Sequence, residues 1–213
     1  MTKIETLIVA PHADDEILGC GGWLITHQSS CRVLVLSTKA DVDQEDRLNY
    51  LWELGARYHF QVSAHSFPVT RFRDHEHEIR MLIHQELLAH PQAKRVFLPS
   101  AKDMHQDHQT VAEAARYAVR SYAYPRNCYA PTLQALTYAV PGSTENFRPT
   151  AFLPVTADQV AAKIAAMDGY SEQRRESPHP RSSFGIRAQM QGFGVQIGTE
   201  YAEAYEIQWE VLS

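Results

Sequence analysis

Thr6-Leu7-Ile8-Val9-Ala10, followed without a break by Pro11-His12-Ala13-Asp14-Asp15-Glu16, decides how the rest of the chain is read. A short, continuous apolar run is the pattern of a strand covered on both faces. The histidine and three acids that leave it are poor packing material, but they suit a metal site that carries its own base. A second unit of the same design follows, in which Arg95-Val96-Phe97-Leu98-Pro99 leads to His105-Gln106-Asp107-His108. Two strand-then-ligand units in one small chain point to a hydrolase built around a single metal ion.

Working outward, the pattern alternates. Residues 4–10 and 33–37 read as strands, and residues 15–27 between them as a helix that Gly19, Gly21 and Gly22 break or loosen. Residues 44–57 carry Leu48, Leu51, Trp52 and Leu54 at helical spacing, with Gly55 near the end. A strand is expected at 59–67, a helix at 75–90, a strand at 94–98 and a helix at 107–122. This β-α-β-α order predicts an α/β fold: a Rossmann-like, mostly parallel sheet flanked by helices. The second half is less regular. It predicts strands at 133–140 and 204–211 and helices at 157–169 and 181–191, with Thr156 capping the first of these helices. The proline-rich stretches 124–131, 141–154 and 178–180 read as long loops near a site.

At 213 residues with no boundary, repeat or low-complexity tract, the chain is expected to form a single domain, 1–213, large enough for a sizeable core. Apolar residues make up 44% and charged residues 21%, as in ordinary globular material. A net charge of −5 gives no electrostatic reason to expect nucleic acid. No segment approaches the ~18 apolar residues of a membrane span. The N-terminus lacks the basic and apolar regions of a signal peptide, which predicts a cytoplasmic protein. Three widely spaced cysteines, Cys20, Cys31 and Cys128, argue against a disulfide framework and a thiolate zinc site.

His12, Asp15 and His108 are the predicted metal ligands. An ion that must activate water takes about three protein ligands and keeps one position open, and two imidazoles with a carboxylate form a common set. All three would lie at the C-terminal ends of strands, where open α/β sheets place their sites. Asp14 and Asp15 are neighbours and cannot both approach the ion in the same way, which leaves Asp14 free to take a proton. Taken singly, Asp14 or Asp15 reads equally well as a helix cap, and Asp107 as the cap of the helix after it. Their joint occurrence with paired histidines favours the metal.

Pro-His-Ala-Asp-Asp-Glu followed by Ile17-Leu18-Gly19-Cys20-Gly21-Gly22, with the later His-Gln-Asp-His, resembles the LmbE-like or PIG-L family of metal-dependent N-acetyl-sugar deacetylases. Leu54-Gly55, Tyr170-Ser171-Glu172-Gln173 and Tyr201-Ala202-Glu203-Ala204-Tyr205 are similar to family segments in the same places, so the resemblance covers most of the chain. It implies Zn2+, with Fe2+ as the alternative in vivo, held by His12, Asp15 and His108. It implies Asp14 as general base, His105 as a protonated stabiliser of the oxyanion, and Asp107 orienting His105. The reaction implied is hydrolysis of the amide of an N-acetylated amino sugar or conjugate by a metal-activated water, in a protein that can form a homo-oligomer. A non-haem Fe(II) enzyme and a catalytically silent metal- or sugar-binding protein are the alternatives. Two positions depart from the family pattern: Asp103 stands where some members have tyrosine, and Glu172 where serine is often seen.

Other signals are weaker. The Gly19–Gly22 cluster lacks the Lys-Ser/Thr of a P-loop and the order of a dinucleotide fingerprint, and is better read as close packing of a helix on the sheet. His75-Glu76-His77 reads as an exposed helix start. Arg71, Arg73 and Asp74 follow a predicted strand and suit sugar hydroxyls, a phosphate or plain surface charge.

Overall fold

A computed structural model describes residues 3–38, 44–123, 133–173 and 175–210. The 124–131 loop and Cys128 fall outside this set. A seven-stranded sheet runs through the described residues in the order β3-β2-β1-β4-β5-β7-β6. The strands are β1 (Thr6–His12), β2 (Cys31–Ser37), β3 (Gln61–Ala64), β4 (Arg95–Pro99), β5 (Gln134–Tyr138), β6 (Ala151–Val155) and β7 (Tyr201–Glu210). The first five in spatial order are parallel, β7 runs antiparallel to β5, and β6 antiparallel to β7. The helices are α1 (Asp15–Thr26), α2 (Gln44–Arg57), α3 (Glu76–Ala89), α4 (Gln106–Ala123), α5 (Ala157–Asp168) and α6 (Ser183–Ile197).

The apolar run of β1 splits by strand periodicity. Ile8 and Ala10 join one core with residues of α1, α2, α5 and α6, while Leu7 and Val9 join a second core with α3 and α4. Each face of the strand is therefore covered, which explains why the sequence does not alternate. From β1 the chain winds out through β2 to β3, then returns to place β4 on the other side of β1. The carboxyl ends of β1 and β4 flank this reversal, the place where a doubly wound sheet opens a crevice.

Several boundaries move. β1 continues two residues beyond the predicted end, so His12 sits on the strand itself, paired in register with Ser37. The predicted 59–67 strand shrinks to four residues, and α6 runs on to Ile197, where Gly198 at φ 74° closes it. β6 begins inside the 141–154 stretch read as a loop and ends one residue beyond it. Its Pro154 argues against an interior strand, and β6 is the edge strand, where a missing N–H costs no ladder bond. Thr156 caps α5 as predicted, in a reciprocal capping box with Gln159.

The glycine-rich α1 is two helical pieces joined at Cys20, whose φ of −133° and ψ of 17° are not helical. The break frees the N–H groups of Gly22 and Trp23, and Glu203 of β7 accepts both, at 2.7 and 2.8 Å. Lys163 of α5 completes this buried centre, donating to Glu203 Oε1 at 2.5 Å and to Leu18 O at 2.9 Å. A Cβ on Gly19 would fall 2.1 Å from the Tyr138 ring, and one on Gly22 2.8 Å from the Glu203 carboxyl carbon. Close packing is thus the reason for these glycines. Among the described residues no helix is long and apolar enough to cross a membrane.

Candidate metal centre

His12 ends β1, Ala13 and Asp14 form the turn, and Asp15 begins α1. Asp14 has φ 135°, a conformation that L residues rarely adopt and that costs free energy unless its surroundings impose it. Glu16 imposes it: Oε2 accepts the Asp14 N–H at 3.0 Å, and Oε1 accepts the Tyr170 hydroxyl at 2.5 Å. Burial pushes the Glu16 carboxyl up to about 8, so near neutrality it adds little charge beside Asp14. The Asp14 side chain makes no capping bond to α1, so its carboxylate is left for other work.

The two motifs meet through three atoms. His12 Nδ1 lies 3.2 Å from His108 Nε2 and 3.4 Å from Asp15 Oδ2, and the last two atoms are 3.1 Å apart. Ligands about 2.0–2.2 Å from a tetrahedral zinc are separated by about 3.3 Å, so this triangle fits such an ion without rearrangement. The opposite ring nitrogens are held by carboxylates. His12 Nε2 sits 3.0 Å from Asp107 Oδ2, and His108 Nδ1 3.2 Å from Asp103 Oδ2 in a poorly aligned contact. Such partners place the ring protons on the outer nitrogens and turn the lone pairs of His12 Nδ1 and His108 Nε2 toward one another.

Electrostatics point the same way. Burial works against a charged His108, yet Asp15 and Asp103 outweigh it and raise its pKa to about 10. Burial likewise opposes ionisation of Asp15, and His108 overrides it, holding the carboxyl well below its usual range. The cage therefore retains a positive charge on an imidazole in just the place where a cation would supply it. A divalent ion would displace that proton. A second trio, His12, His105 and Asp107, is close enough to be considered. Asp107, however, already receives the N–H groups of Thr70 at 2.7 Å and Phe72 at 3.3 Å as well as His12, so its oxygens are committed.

Asp14 stands beside the triangle. Burial first and Asp15 second push its carboxyl up to about 6, against the opposing pull of Arg181, whose Nη1 is 3.5 Å from Asp14 Oδ2. His105 is brought to the same place, with its ring centroid 4.8 Å from that of His12 and 4.9 Å from that of His108. Its Nδ1 accepts the Asp107 backbone N–H at 3.2 Å, which puts the ring proton on Nε2. Burial, His108 and His12 lower the His105 pKa, which favours the neutral ring over the protonated form suggested by the resemblance. The Asp107 carboxylate is likewise bonded to His12 and the 70–72 turn; only its backbone reaches His105.

Two contributors were not legible. Asp103 ties this centre to the loop after β5, accepting from the hydroxyls of Ser143 and Thr144, each at 2.8 Å, and from the His105 N–H at 2.8 Å. Its signal was its place two residues before the second motif. Arg181 lies far along the chain, and nothing in the sequence joined it to Asp14. By contrast, His75 contacts Glu78 and His77 contacts Arg80, and neither belongs to a metal-competent group among the described residues.

The family profile of PIG-L, described as GlcNAc-PI de-N-acetylase, matches residues 7–119, more than half the chain and both motifs. The chain belongs to the PIG-L family. Solved structures share its fold. The conserved protein TT1542 from Thermus thermophilus superposes with a TM-score of 0.78 at 23% identity, covering 99% of this chain and 97% of that one. The N,N'-diacetylchitobiose deacetylase from Pyrococcus horikoshii gives 0.72 at 16% identity, covering 95% and 83%. GalB, the 4-carboxy-2-hydroxymuconate hydratase from Pseudomonas putida, gives 0.70 at 17% identity, covering 99% and 98%. No curated protein sequence matches the chain significantly. The PIG-L match accounts for the two motifs. The architecture beyond residue 119 is carried by the structural likeness.

Proposed function

We propose that this PIG-L protein is a metal-dependent amide hydrolase that removes the acetyl group from an N-acetylated amino sugar or its conjugate. The observation that carries the reading is the convergence of His12 Nδ1, Asp15 Oδ2 and His108 Nε2 on one point with the buried Asp14 beside it. His12, Asp15 and His108 would hold the ion, Zn2+ or alternatively Fe2+. When bound, it would make a water acidic near neutrality and polarise the amide carbonyl. Asp14, its pKa lifted toward neutrality by burial, takes the proton from the attacking water and returns it to the leaving amine. Neutral His105 donates its Nε2–H to the oxygen on which charge develops. Asp103 and Asp107 keep His108 and His12 in the tautomers a metal requires. Acetate and a free amine leave.

Acetate release from a panel of N-acetylhexosamine conjugates, with metal-reconstituted protein, tests the reading. Release that depends on the added ion and on Asp14 supports it. The hydratase on the same fold supplies the rival, addition of water to a carbon–carbon double bond. Consumption of an unsaturated acid in place of acetate release would replace the hydrolase reading.

A further inference from the structure

Tyr170 lies outside both ligand motifs, yet its hydroxyl is one side chain away from Asp14. The residue is buried, 2% exposed, and stands just past the end of α5, where Gly169 caps the helix. Tyr50 of α2 packs edge-to-face against it, with ring centroids 4.9 Å apart and planes at 87°. The Tyr50 hydroxyl is fixed in turn, donating to Ala166 O at 2.9 Å. A Cβ on Gly169 would fall 2.0 Å from Tyr50 Cζ, so the glycine is what admits Tyr50 to this place. From a ring seated between two helices, the Tyr170 hydroxyl donates to Glu16 Oε1 at 2.5 Å, and Glu16 Oε2 accepts the Asp14 N–H at 3.0 Å.

Asp14 needs such a hold. Its side chain makes no capping bond to α1, and its φ of 135° is a conformation the backbone resists unless something imposes it. The bond from its N–H to Glu16 is buried, so a displaced Glu16 would leave that donor unpaired. The two oxygens of Glu16 belong to one rigid planar group, and pinning Oε1 therefore pins Oε2. Relaxation of the Asp14 backbone would swing its carboxylate away from the His12–Asp15–His108 triangle.

Resting on the hydrolase reading, we propose that Tyr170 is a positioning residue for Asp14, acting through Glu16 to hold the base in its strained, productive conformation. The hydroxyl touches no reacting atom. It fixes where the acceptor of the Asp14 N–H stands, and so ties the geometry of the base to the end of α5.

The test uses metal-reconstituted Tyr170→Phe, which removes the hydroxyl and keeps the ring. With an N-acetyl sugar that the parent deacetylates, kcat should fall roughly tenfold or more, the scale of a misplaced catalytic group, while KM and metal content stay at parental values. In an Asp14→Asn background the same substitution should cost less than about twofold, because no base is left to place. Amide exchange followed by NMR should quicken roughly tenfold at Asp14, with the β1 amides unchanged. Parental kcat in Tyr170→Phe, even with a lowered melting temperature, makes the hydroxyl a packing feature and overturns the proposal. A loss that persists undiminished in the Asp14→Asn background, or an Asp14 amide as protected as in the parent, overturns it too. If the parent releases no acetate from any substrate, the hydrolase reading falls and the Asp14 amide decides alone: faster exchange keeps the positioning role, and unchanged protection removes it.

Discussion

Helix α1 meets buried carboxylates at two places, and they have opposite fates. At its internal break, Glu203 is surrounded by donors: the N–H groups of Gly22 and Trp23, the Lys163 ammonium and, at 2.7 Å, the Tyr205 hydroxyl. Its charge is matched within the fold. At the N-terminus, Asp15 faces the two imidazoles of His12 and His108, and the three donor atoms converge with no side-chain cation among them except a borrowed proton. The first centre is complete, so it is structural. The second would be completed by an ion, the arrangement that the proposed function needs. Burial alone does not separate them, since both carboxylates are almost fully buried. The distinction is whether the partners that burial demands are already present.

The sharpest way to break this contrast is at the ligands. His12→Ala, Asp15→Ala or His108→Ala should each lose the ion, about one per chain in the parent, together with essentially all turnover. Elemental analysis of the three variants measures it, and full occupancy in all of them would dissolve the distinction. Next comes Asp14→Asn, expected to keep metal and fold while losing on the order of 10²–10⁴-fold in turnover. A base must be ionised to work, so the parent rate should climb with pH through the Asp14 pKa. That value is about 6 without the ion and lower with it, and the climb should disappear in the variant. His105→Ala should also retain metal and lose ~10²–10³-fold in the chemical step, read as kcat against KM.

The structural centre should respond in stability. Lys163→Met leaves Glu203 buried without its cation, and the expected loss is about 3–5 kcal/mol, read from the denaturant midpoint. Metal affinity in the surviving folded protein should change little, which is the converse of Asp15→Ala. The smallest effects belong to the residues behind the ligands. Asp103→Asn and Asp107→Asn should weaken metal binding ~10–100-fold, measured by chelator competition, with stability largely kept.

How much of this was legible depended on distance along the chain. His12, Asp14 and Asp15 lie within four positions, and His105, Asp107 and His108 within another four, so each group announces its chemistry locally. The same holds for the strands of the first half, whose doubly covered faces leave continuous apolar runs. β6 was hidden because its Pro154 is acceptable only on an edge, and edge position is a property of the whole sheet. Glu203 and Glu16 were quoted as parts of motifs, but their duties rest on Lys163 and Tyr170, distant in sequence.

By itself, then, the sequence determined the alternation of strand and helix, the two His- and Asp-rich motifs that follow strands, and the residue types that can hold an ion. Periodicity and spacing are local, and local patterns survive in a linear text. The tertiary structure alone decided that Asp107 serves His12 rather than His105, that Asp103 backs His108, and that Arg181 lies beside Asp14. Those facts depend on which side chains share a low-dielectric pocket. Burial there turns a neighbour a few ångströms away into a decisive partner, and sequence separation carries no information about it.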